Sequence, residues 1–108
     1  MQEFDVDSQT PRENARIVKS AVSPRPIAWV STRSDDGVDN LAPFSSYNYV
    51  SSDYPVVLFN SPNEEHGGLK DTARNAVERE EFAVNVVTES LIEQMDHTSK
   101  RLPPDESE

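Results

Sequence analysis

Pro26-Ile27-Ala28-Trp29-Val30-Ser31-Thr32, then Ser34-Asp35-Asp36-Gly37, then Val38-Asp39-Asn40-Leu41-Ala42, is the stretch on which the fold turns. Ile27, Trp29 and Ser31 alternate with Ala28, Val30 and Thr32, the two-residue period of a strand. Asp36-Gly37 supplies the residue pair that tight hairpins need, because Gly adopts positive φ without steric cost. A second strand is expected from Val38 toward Ala42. Pro43 should interrupt it, since proline donates no hydrogen bond to a ladder, and the chain should bend there before Ser46–Ser51 resumes an extended path.

Outward from this hairpin, Val56-Val57-Leu58-Phe59 is short, apolar and β-branched, as expected of a buried strand after the turn at Asp53-Tyr54-Pro55. Lys70 to Arg79 reads as a helix, capped by Asp71 or Thr72, with Ala73, Ala76 and Val77 on one face. Phe82–Val87 reads as another strand, and Thr88–Met95 opens a second short helix. Upstream, Pro11 can occupy the first position of a helix over Pro11–Ser20. The order β-β-β-β-α-β-α, without regular β-α alternation, predicts an α+β domain. It is mainly β, a small antiparallel barrel decorated by helices.

Composition sets the limits. The chain has 108 residues, no cysteine, and twenty acids against ten bases, for a formal net charge of −10. Disulfides, thiolate nucleophiles and zinc ribbons are excluded. Phosphate backbones and anionic lipid would be repelled, so neither nucleic acid nor membrane is an expected partner. No apolar run nears the roughly 18 residues that span a bilayer, and the acidic start is unlike a secretory signal, so a cytoplasmic location is expected. Leu, Ile, Val and Phe make up 24 residues, about 22%, which predicts a folded domain with a thin core. The acids are dispersed along the chain, the pattern of a solvated surface adapted to high salt.

Several catalytic readings fail. His66-Gly67-Gly68 is faintly like a hydrolase oxyanion loop, but no G-x-S-x-G elbow accompanies it. Asp35, Asp36 and Asp39 lack the bidentate acid of a calcium loop, Ser46 standing where it would be. His66 and His97 have no metal-ligand spacing, so no metal is expected, and no catalytic side chain can be named. Two positive signals remain. Asn40 to Pro62 contains one ionised residue, Asp53, among hydroxyls, amides and aromatic rings, a mixture suited to a planar, hydrogen-bonding ligand or to two strands and a polar loop. Lys70-Asp71-Thr72-Ala73-Arg74 sets a lysine, a hydroxyl and an arginine at a helix start, where free N–H groups suit a phosphate; the alternative is a plain helix cap. Arg25, beside a rigid Pro24/Pro26 turn, either reaches a phosphate or lies on the surface.

Pro24-Arg25-Pro26-Ile27-Ala28-Trp29-Val30-Ser31-Thr32, Asp36-Gly37-Val38-Asp39-Asn40-Leu41-Ala42-Pro43-Phe44-Ser45-Ser46-Tyr47-Asn48, Lys70-Asp71-Thr72-Ala73-Arg74-Asn75 and Glu81-Phe82-Ala83-Val84-Asn85-Val86-Val87 together resemble flavin reductase-like, FMN-binding split-barrel domains. The likeness runs from Val22 to about Pro104, and Leu102–Glu108 is similar to a family loop after which members continue. Family members are roughly twice this length, within the usual size of one domain. The expectation is thus an N-terminal segment, 1–21, followed over 22–108 by the N-terminal part of a truncated split barrel. The resemblance implies FMN as cofactor, a homodimer, and reduction by NAD(P)H with electrons passing to an oxygenase or another acceptor. It equally admits a non-catalytic FMN-binding redox module, or a fragment without activity of its own. By carry-over Ser45, Ser46 and Asn48 would contact the ribityl chain, phosphate or ring edge, and Lys70 and Thr72 the phosphate. Pro43 and Phe44 would supply backbone and apolar wall, while Ser61 and Arg25 are further candidates chosen for chemistry and position.

Overall fold

The computed structural model describes residues 2–64 and 67–100; His66 and the loop Leu102–Glu108 lie outside the described residues. After a 3-10 turn at Val6–Ser8 come α1 (Pro11–Ala21), β1 (Ala28–Arg33), β2 (Asp39–Phe44), β3 (Tyr47–Ser51), β4 (Val56–Phe59), α2 (Asp71–Arg79), β5 (Ala83–Asn85), a 3-10 turn at Glu89–Leu91 and α3 (Ile92–His97). The strands form two antiparallel sheets, ordered β2-β1-β5 and β3-β4.

The β1–β2 hairpin closes as the Ser34–Gly37 segment predicts. Gly37 N–H donates to Ser34 O, Ser34 N–H to Val38 O, and Gly37 sits at φ 83°, a turn followed by a left-handed residue. Contrary to expectation, β2 does not stop at Ala42. It runs through Pro43, opposite Trp29, to Phe44. β2 is an edge strand, so one of its sides has no ladder in which a missing N–H would be felt.

The core is small and centres on β1, where Ala28 and Val30 are fully buried and Trp29 nearly so. Five polar residues are buried beside them: Thr32, Asn40, Thr72, Asn75 and Thr98. Four of these join the hairpin to α2. Thr32 and Asn40 are directly opposite across the β1–β2 ladder, and Thr72 and Asn75 are three apart on α2, so both pairs share a face. Asn40 Nδ2 donates to Thr72 Oγ1 at 2.8 Å, and Asn75 Nδ2 to Thr32 Oγ1 at 3.2 Å. Trp29 Nε1 donates to Thr98 Oγ1 at 3.0 Å, which holds the end of α3 against β1.

The β3–β4 hairpin is tied to the first sheet by ring contacts, Phe44 tilted against Phe59 at 4.9 Å and Phe59 edge-on to Phe82 at 5.1 Å. The expected burial of β4 is not found: Val56, Val57 and Leu58 are exposed and Phe59 is partly covered. A two-stranded hairpin has one neighbour per strand, and among the described residues no third strand joins it. The expected strand over Phe82–Val87 shortens to Ala83–Asn85, fixed where Asn85 Nδ2 donates to Trp29 O at 3.0 Å. The whole is open. A compact chain of 12.1 kDa exposes about 6,000 Å², whereas this one exposes 8488 Å².

Candidate functional site

α2 begins without a side-chain cap. Lys70 occupies the N-cap position, Asp71 is already helical and pairs with Arg74 at 2.9 Å, and the Thr72 hydroxyl accepts from Asn40 instead of from the backbone. Neither Asp71 nor Thr72 is the cap that the sequence predicts. The cap residue therefore offers the N–H groups of this first turn no side-chain acceptor, and the positive end of the helix dipole faces whatever lies next to Lys70.

Next to it lies a cleft of about 330 Å³ between β2, the start of α2 and the end of α3. Its wall is Asn40, Ala42, Pro43 and Phe44 from β2. Lys70, Asp71 and Thr72 form its floor, with Glu64 from the preceding loop and Thr98, Ser99 and Lys100 from beyond α3. Two of the three lysines of an acidic chain thus meet in one depression beside an uncapped helix start. Rings and aliphatic groups stand on the β2 side; the other side sets Lys70, Lys100 and three hydroxyls beside the carboxylates of Glu64 and Asp71, of which Asp71 is paired with Arg74. Such a division suits a ligand with a flat apolar part and an anionic end. The volume lies at the lower end of the range for small-molecule sites.

Four of the nine residues proposed from sequence, Pro43, Phe44, Lys70 and Thr72, line this cleft. The other five are not in its lining. Ser45 and Ser46 form the turn that leaves β2 directly after Phe44, and Ser46 O accepts from Asn60 N–H. Asn48 is exposed on β3 and its Oδ1 accepts from Tyr49 N–H at 2.8 Å. Arg25 donates from Nη1 to Lys19 O near the end of α1 at 3.3 Å, an arrangement that satisfies a helix C-terminal carbonyl. Ser61 Oγ is buried and has no hydrogen-bond partner among the described residues, an orphan hydroxyl of the kind a ligand or water satisfies.

Thr98, Ser99 and Lys100 were not identified from sequence. A Thr-Ser-Lys run after a short helix carries no spacing signal, and the Trp29–Thr98 hydrogen bond that brings it in spans 69 residues. A second depression, about 520 Å³, lies at the open end of β1 and β2 beside Phe82. It holds none of the nine residues. Its charged groups include Arg33 and Asp39, paired at 2.7 Å and both exposed. Arg33 holds the Asp39 carboxyl below its ordinary range, by hydrogen bonding first and by charge second, and Asp39 raises the guanidinium in return.

Comparison with known proteins gives a consistent result. Residues 20–108 match the profile of the flavin reductase like domain. The chain is 48% identical to an uncharacterised Bacillus subtilis protein, YwrF, over 97% of its own length and 51% of the relative's. It is 43% identical to an uncharacterised protein of Aquifex aeolicus, over 86% of its length and 47% of the relative's. Among solved structures it resembles nitrilotriacetate monooxygenase component B from Bacillus cereus, at TM-score 0.92 and 34% identity, covering 99% of this chain and 52% of that one. Pseudomonas fluorescens 2-nitrobenzoate 2-nitroreductase NbaA follows at TM-score 0.80 and 32% identity, over 94% and 48%. A candidate flavin reductase with split barrel domain from Shewanella frigidimarina, at TM-score 0.75 and 23% identity over 99% and 53%, bears on the fold alone. The chain spans about half the length of the curated relatives it matches.

Proposed function

Because the chain belongs to the flavin reductase like domain family, we propose that the cleft beside α2 holds FMN and that the protein serves as a flavin-dependent reductase. The observation that carries this reading is the convergence, in one depression of a family member, of Pro43 and Phe44 with Lys70, Thr72, Lys100 and an uncapped helix start.

Lys70 and Lys100 neutralise a phosphate, and the free N–H groups of the first turn of α2 donate to its oxygens. Thr72 accepts one hydrogen bond from Asn40 and retains its own proton to donate. Pro43 and Phe44 exclude water from one face of a ring system, and the Ser45-Ser46 turn stands at its edge, with Asn48 further along β3. The buried Ser61 hydroxyl and Arg25 are the remaining candidate contacts. A flavin held there would supply the hydride and electron transfer between NAD(P)H and an acceptor. The chain itself then needs no acid–base pair, and it positions and shields the ring.

An oxygenase is the proposed acceptor, supported by the likeness to a component of nitrilotriacetate monooxygenase. The likeness to a nitroreductase supports a small nitroaromatic acceptor as the second reading. A homodimer is proposed because the exposed area, including Val56, Val57 and Leu58, exceeds that of a compact chain. Replacing Lys70 by Ala tests the site. Loss of one charge-assisted hydrogen bond, worth about 1.5–3 kcal/mol, should weaken FMN at least tenfold and leave riboflavin, which has no phosphate, unchanged. Equal losses for the two ligands would remove Lys70 from the phosphate site.

A further inference from the structure

The stretch from Thr88 to Lys100 rests on the body of the protein with little of it buried. Thr98 is its buried residue, at 8% exposure; Met95 is half-covered, and the others, Leu91 and Ile92 included, are exposed. α3 itself buries no residue. A short helix with no apolar face in the core has little of its own to hold it in place. Among the described residues, the hydrogen bond that joins this stretch to the rest of the chain is the one from Trp29 Nε1 to Thr98 Oγ1, and Trp29 is as buried as Thr98.

The remaining hydrogen bonds of Thr98, Ser99 and Lys100 stay within the end of α3. Thr98 Oγ1 donates to Met95 O at 2.7 Å, Ser99 Oγ to Asp96 O at 2.6 Å, and Lys100 N–H to His97 O at 3.3 Å. The Thr98 and Ser99 hydroxyls line the cleft, but their protons are committed, so neither has one to give an anion. What this segment offers an anion is the Lys100 ammonium. It shares the lining with Glu64 and Asp71 and forms no ion pair among the described residues.

We propose that Trp29 is a positioning residue for the cleft: its indole N–H fixes Thr98 and so sets Lys100, two residues further on, at the end that takes the anion. Trp29 does not line the cleft, so its contribution passes through Lys100. The proposal rests on the flavin reading above and adds a residue that acts on the phosphate and not on the ring. Any ligand without an anionic end is then indifferent to the Trp29–Thr98 hydrogen bond.

The test is fluorescence titration of FMN and riboflavin with the full chain, with circular dichroism to check folding. Digestion by a lysine-specific protease gives a readout independent of flavin. Thr98→Val keeps the shape of the side chain and removes the acceptor, and Trp29→Phe keeps an apolar ring and removes the donor. Each should weaken FMN at least about fivefold and leave riboflavin within about twofold. Each should also speed cleavage after Lys100 relative to cleavage after Lys19, because the segment opens more often. Lys100→Ala should weaken FMN as much, and adding Thr98→Val to it should change FMN affinity by less than about twofold, since the two act as one unit. Thr98→Ser restores the acceptor and should bind FMN within about twofold of wild type. If Trp29→Phe does not fold, the two Thr98 variants carry the test. Unaltered FMN affinity in Thr98→Val, equal losses for the two ligands, losses that add to those of Lys100→Ala, or cleavage after Lys100 no faster than in wild type would each overturn the role of Trp29 and leave the flavin reading standing. Wild type that binds no FMN would overturn both.

Discussion

Asn75 is 2% exposed, and its two side-chain ends fare differently. Nδ2 donates to Thr32, while Oδ1 has no partner among the described residues. Asn75→Ala would remove the donor that satisfies Thr32 and should cost about 1–3 kcal/mol of stability. Because Asn75 is not in the lining of the cleft, FMN affinity should hold once folding is corrected for; a urea titration and a flavin titration on one preparation read both. Glu80, at the end of α2, has φ 56°, a left-handed conformation that costs an L side chain about 1–2 kcal/mol and glycine little. Glu80→Gly should therefore raise the melting temperature, and a fall would show that the Glu80 side chain contributes more than its backbone costs. At this scale the sequence was informative where one residue acts through its own chemistry, as Pro11 does at the first turn of α1 and Gly37 in its hairpin. It was not where a residue acts through a distant partner. Thr72 reads locally as a cap, and only the fold shows its hydroxyl engaged by Asn40, 32 positions away.

Among the elements, β4 has the bounds its apolar run predicts, but its exposure does not follow from that run. Burial depends on what lies opposite, which no local pattern contains. The Thr10–Glu13 capping box of α1 is written in the sequence as a T-x-x-E spacing. β2 passes Pro43 because it is an edge strand, a property of topology and not of the strand's own residues. The β1–β2 hairpin offers a test of its own. Asp39 titrates below its unfolded value, so the Arg33 pair contributes above the ordinary carboxylate pKa of about 3.9 and is lost as pH falls through the lower folded value. Both groups are largely exposed, so the effect should be small. Thermal melts of wild type and Asp39→Asn should differ slightly at neutral pH and converge in acid. A gap that persists in acid would assign the difference to the strand and not to the ion pair.

Over the whole molecule, charge and openness decide behaviour. Twenty acids against ten bases repel one another in dilute buffer, and the Debye length falls from about 10 Å at 0.1 M to about 3 Å at 1 M. The melting temperature should therefore rise along a KCl series, and a flat or falling series would leave an acidic domain with no adaptation to salt. The split-barrel architecture was legible because four sequence blocks keep their order and spacing. The cleft was legible in its β2 and α2 walls, and not in Thr98–Lys100, which only the Trp29 contact carries into place. The central claim is that this cleft binds a flavin by its phosphate. Fluorescence titration of FMN and of riboflavin with folded protein in molar salt addresses it most directly. FMN should be quenched at micromolar protein, near −8 kcal/mol, with riboflavin at least tenfold weaker; a flat FMN titration, or equal affinity for the two, would contradict flavin binding by its phosphate.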